Sequence, residues 1–135
     1  MVQQTIVVDF PPNYDEIAAV FRIHSRRDVI FAFGPRLFNP YNLAIPDHLI
    51  AHEAVHGGRQ GTGQAILDWW KQYLEDRAFR LVEETAAHRA EYRWLMTHGN
   101  RKERRRAMNE VSGRLASPLY GSMILPVEAR RLLEG

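Results

Sequence analysis

The chain has 135 residues, enough for one domain with a real core and too few for two. With 45% hydrophobic and 25% charged residues it is not a disordered chain, and the absence of cysteine excludes disulfide frameworks, thiolate metal sites and cysteine nucleophiles. Without cysteine any metal must be held by His and carboxylates, and a net charge of +2 excludes a strongly basic or acidic character.

The opening "MVQQTIVVDFPPNYDEI" lacks the basic region and long apolar run of a signal peptide, and no stretch has the length of a bilayer span. The expectation is a cytoplasmic protein with no membrane partner. "TIVVDF" (5–10) is β-branched and closed by Pro11-Pro12, which predicts a strand and a turn. "NYDEIAAVF" (13–21) spaces Ile17, Val20 and Phe21 for a short helix. "DVIFAFG" (28–34) reads as a buried strand, and "RLFNPYNLAI" (36–45), which contains a proline, as an edge strand. From Pro46 onward the pattern is helical. Asp47 is the expected N-cap of a helix through His56 that stops at Gly57-Gly58. Further helices are expected over 65–76, 77–99, 101–117 and 126–134, the last with Pro126 in its first turn. The fold class is therefore α+β: one domain, 1–135, with a small N-terminal sheet and a mainly helical C-terminal half.

"HLIAHEAVHGGRQG" (48–61) contains His52, Glu53 and His56 in the spacing His-Glu-x-x-His. Residues four apart share a helix face, so His52 and His56 can offer two imidazole nitrogens to one ion, with Glu53 beside them as a general base. Ile50, Ala51, Ala54 and Val55 form the opposite, apolar side, so the His face is expected to turn away from the helix's packing surface. Catalytic zinc takes three protein ligands, and the candidates for the third are Asp68, Glu83, Glu84, His88 and Glu91. Leu81, Thr85, His88, Tyr92 and Leu95 form an inward stripe on the 77–99 helix, with Glu84 at its margin. Glu84 is the preferred ligand, against the plain alternative of a solvated Glu83-Glu84 pair.

With "HEAVH" (52–56) followed by "EETAAHRAEY" (83–92), the chain resembles the gluzincin metallopeptidases, especially minimal single-domain forms and small zinc peptidases of phages. The resemblance covers roughly residues 28–95. It implies one Zn2+ held by His52, His56 and Glu84, Glu53 as catalytic base, a zincin-like fold and a peptide or protein substrate. Glu84, Ala87 and His88 match the family's Glu-x-x-Ala-Asp except that His88 replaces the Asp, which in the family backs a zinc-ligating His from behind. The metzincin branch is excluded by Arg59 and Thr62, which stand where it needs Gly and His. The fold resemblance also implies that 36–45 is a strand pairing with extended substrate. An oxyanion-stabilising donor is needed too, with Tyr120 a candidate beside Arg89, Tyr92 and His98.

Two rival readings are a catalytically inactive zincin-fold binding module and a nonspecific nucleic-acid binder using "RKERRR" (101–106). Glu53 counts against the first, because a purely structural site needs no base. Glu103 interrupts the basic run, and no phosphate loop accompanies it, so nucleic acid is disfavoured as a partner.

Overall fold

The computed structural model describes residues 3–117 and 125–134, and among these it is an α+β fold of three short strands and six helices. In chain order they are β1 (Thr5–Val7), α1 (Tyr14–Phe21), β2 (Phe31–Phe33), β3 (Arg36–Phe38), α2 (Asp47–Gln60), α3 (Gln64–Glu75), α4 (Arg77–His98), α5 (Arg101–Leu115) and α6 (Pro126–Glu134). No described helix is long and apolar enough to cross a membrane.

The sheet order is β1-β3-β2, with β1 parallel and β2 antiparallel to β3. β3 is thus the central strand and not the expected edge. The sequence signal misleads because Pro40 lies beyond the paired residues: the Asn39 side chain accepts from the Leu43 amide (3.0 Å) and donates to the Leu43 carbonyl (2.9 Å), winding 39–43 into a loop after only three paired residues. Paired on both sides, β3 offers no free edge to a substrate peptide. On β2, which is an edge strand, the Ala32 carbonyl accepts from Gln60 Nε2 and Trp70 Nε1, both at 3.1 Å.

α2 also departs from expectation. Pro46 occupies its N-cap position and Asp47 is its first residue, where a carboxylate favours the positive end of the helix dipole. The helix runs through Gly57 and Gly58 and stops at Gly61, whose φ of +80° takes the chain out of the helix. Gly57 serves close approach instead: a Cβ there would lie 2.4 Å from the Gly34 carbonyl of the β2–β3 turn. α4 and α5 start on side-chain caps, Asp76 accepting from the Phe79 amide (3.1 Å) and Asn100 from the Glu103 amide (2.8 Å).

Two apolar clusters form among the described residues. Ile17, Ile23, Phe31, Phe33, Phe38, Ile66, Trp69, Trp70 and Tyr73 join α1, the sheet and α3, while Met108, Val111, Leu115, Ala129 and Leu133 join α5 to α6. Leu81, Tyr92 and Leu95 of α4 pack on the second cluster. The other face of α4, with Glu83, Glu84, His88 and Glu91, is buried and polar, and α4 packs closely on α2.

Candidate metal centre

The His-Glu-x-x-His face of α2 is turned into that interface with α4, the reverse of the outward orientation expected for it. His52 and His56 are both buried, and Glu84 comes between them from α4. His56 Nε2 lies 2.8 Å from Glu84 Oε2 and His52 Nε2 lies 3.4 Å from Glu84 Oε1. The solvated Glu83-Glu84 pair is not found, since both carboxylates are buried. Glu83 accepts from Trp69 Nε1 (2.6 Å) and Arg59 Nε (2.8 Å), tying α2, α3 and α4 together beside the site.

His52, His56 and Glu84 can each offer one ligand atom within 4.8 Å of the others. His56 Nδ1 and Glu84 Oε1 are buried without a hydrogen-bond partner among the described residues. Two imidazoles and a carboxylate on facing helices suit zinc, which takes nitrogen and oxygen donors at a three-ligand catalytic site. His52, His88 and Glu91 form a second group of the same kind. The two groups share His52, whose Nδ1 contacts Glu91 Oε1 (3.0 Å), whereas its Nε2 faces Glu84. A neutral imidazole holding Nδ1–H toward Glu91 keeps its lone pair on Nε2, which favours the first group.

The first group also opens onto a cavity of about 230 Å³ lined by His52, Glu53, His56 and Glu84. Its walls include Phe21, Ile23, Val29, Phe31, Trp69 and Trp70. That volume suits one side chain and its flanking amide rather than a large ligand. Tyr73, also in the wall, donates its hydroxyl to Glu84 Oε2 (2.6 Å). Arg80 is buried and donates to the Tyr73 and Leu74 carbonyls (2.8 and 3.0 Å), satisfying the end of α3 that carries this tyrosine.

Charges in the cluster are strongly coupled. Burial pulls the His52 pKa down, but the facing carboxylates of Glu84 and Glu91 and the nearby Glu53 reverse this and raise it to about 10. Burial raises Glu84, yet the imidazoles of His56 and His52 outweigh it and hold the carboxyl well below its usual range. Glu53, half-buried on the cavity side, is raised: burial dominates, the two imidazoles oppose it, and the carboxylates of Glu84 and Glu91 add to it. His88 is lowered to about 3 by burial and by the His52 charge.

His88 lies over the His52 ring, 4.6 Å between centroids, and its Nδ1–H donates to the Glu84 carbonyl (2.7 Å). It is thus Glu91, one turn further on, that touches His52 Nδ1. Tyr120 lies outside the described residues. Of the other oxyanion candidates, Tyr92 packs on the α5–α6 cluster, the exposed His98 stacks on Trp94, and Arg89 is half-buried; none is in the cavity wall. The basic run lies on the first turns of α5 and is exposed apart from the partly buried Arg104. Sequence reasoning missed Tyr73 and His48. Only the fourfold spacing of His48, His52 and His56 marked His48, and nothing marked Tyr73.

No family model, curated protein or solved structure matches this chain.

Proposed function

We propose that the chain is a zinc-dependent amide hydrolase, a metallopeptidase of zincin type, with His52, His56 and Glu84 holding the ion. The observation that carries this reading is the convergence of both Nε2 atoms and the Glu84 carboxylate at a cavity that Glu53 also lines. Zinc bound there would supply Lewis acidity, polarising a carbonyl and lowering the pKa of a water. Glu53 takes the proton of the attacking water and passes it to the departing amine nitrogen. Burial raises its pKa, the direction that makes a carboxylate a better proton acceptor. Tyr73 orients Glu84 through the bond to Oε2. The aromatic and aliphatic walls favour a peptide that places an apolar side chain beside the scissile amide.

The test has two parts. Wild type should bind one zinc per chain, and His56→Ala and Glu84→Ala should not, as read by elemental analysis after gel filtration; a metal-free wild type removes the reading. Glu53→Gln should keep the metal and cut a peptide library about 10²–10⁴-fold more slowly. If the wild type holds zinc and cuts nothing, the inactive binding module is the better account.

A further inference from the structure

The Glu91 side chain is wholly shielded from solvent (0% exposed), yet it stands outside the proposed donor set. A carboxylate so enclosed must be compensated, and its contacts come from two other helices. His52 Nδ1 of α2 lies 3.0 Å from Oε1, and His48 Nδ1, one turn earlier, lies 2.8 Å from Oε2. Arg114 Nη2 of α5 reaches the same Oε2 at 2.5 Å. Resting on the proposed zinc site, the geometry points to Glu91 as a positioning residue for that site: it fixes His52 with Nδ1–H inward and Nε2 toward the metal position, and Arg114 and His48 fix Glu91.

Three features support this assignment over simple helix packing. The Glu91–His52 contact is made at the ring nitrogen that cannot ligate when Nε2 does, so the carboxylate selects the tautomer that ligation needs. Its charge makes the imidazole a better donor. The oxygen that meets His52 is Oε1, while Arg114 and His48 both take Oε2, so the guanidinium holds the carboxylate without competing for His52. Through Arg114 the α5–α6 unit thereby helps to hold a metal ligand that it does not touch.

The test compares zinc affinity, by competition with a chromophoric chelator, in wild type, Glu91→Ala, Glu91→Gln and Glu83→Gln. It adds the visible spectrum of each protein loaded with Co2+, which reports ligand geometry without any turnover. Glu91→Ala should weaken zinc binding about 10–100-fold and alter the Co2+ band. Glu91→Gln keeps an acceptor for Nδ1–H and the side-chain volume but not the charge, and should fall between. Glu83→Gln removes an equally buried carboxylate on the same helix that is tied to Trp69 and Arg59, and should leave affinity and spectrum as in wild type. Should Glu91→Ala not fold, the near-isosteric Glu91→Gln decides. Affinities of both Glu91 variants within threefold of wild type, with unchanged Co2+ spectra, overturn the assignment and leave the hydrolase reading standing. A wild type that binds no zinc sinks both.

Discussion

Zinc uptake at this site should compete with a proton, and the size of that competition follows from His52. Its pKa is raised to about 10, so at neutral pH the ring carries protons on both nitrogens, one facing Glu91 Oε1 and one facing Glu84 Oε1. The Nε2 proton stands where a metal would bind. Because the folded value lies above the ordinary 6.5, protonation stabilises the metal-free fold fully below that pH, and the contribution is lost as pH rises through about 10. Metal binding must expel the proton throughout that window, so His52 alone makes the apparent zinc affinity fall about tenfold per pH unit, roughly 100-fold or ~2.7 kcal/mol from pH 8 to pH 6. Chelator competition at pH 6, 7 and 8 measures the slope. Calorimetry in two buffers of different ionisation enthalpy counts the released protons. A flat pH profile with buffer-independent heat would refute the reasoning, because it would mean that His52 is already neutral before the ion arrives.

Adjacent glycines of α2 should respond oppositely to alanine. In Gly57→Ala the new Cβ would meet Gln4 Nε2 and the Gly34 carbonyl at 2.4 Å each; the glutamine tip can swing away but the backbone carbonyl cannot, and a loss of about 1–3 kcal/mol is expected in a thermal or urea melt. Gly58→Ala meets nothing within 4 Å and should be neutral or stabilise by up to about 1 kcal/mol; equal melting points for the two variants would contradict the close approach of α2 to the β2–β3 turn. Glu83→Ala strands the buried Trp69 N–H and should cost about 1–3 kcal/mol in the same melts, whereas Arg59, which can turn to the solvent it already partly faces, adds little; an unchanged stability would show that the Trp69 contact has no energetic weight.

The parts of this design that depend on short sequence separation were legible in the sequence. The fourfold spacing of His52 and His56 is a property of any helix, and the helices expected to begin at 77, 101 and 126 do begin at Arg77, Arg101 and Pro126. Where side-chain pairing or close packing decides, the reading failed. Pro40 marked 36–45 as an edge strand, but Asn39 ends the strand first, and the three residues left are bracketed by strands from both directions. Gly57-Gly58 looked like a stop, but a missing Cβ serves equally well where helix and turn touch, and no local pattern distinguishes the two uses. The outward orientation given to the His face assumed that α2 packs on one side only, whereas it packs on the sheet by one side and on α4 by the other. Glu91 stood among the ligand candidates, and its contact with His52 spans 39 residues, set by how α2 crosses α4.

That crossing produces an ordered alternation of imidazole and carboxylate: His56, Glu84, His52, Glu91 and His48 follow one another across the interface, each carboxylate between two imidazoles. α4 buries three carboxylates on this side, and they are not compensated in the same way. Glu83 meets the guanidinium of Arg59 and Glu91 that of Arg114, cations that persist at every working pH. The partners described for Glu84 are the imidazoles of His52, His56 and His88 and the phenol of Tyr73, none of which carries a permanent charge. Glu84 is also the one of the three that lines the cavity with Glu53, so a divalent cation would gain most at this carboxylate, which has no fixed cation beside it among the described residues.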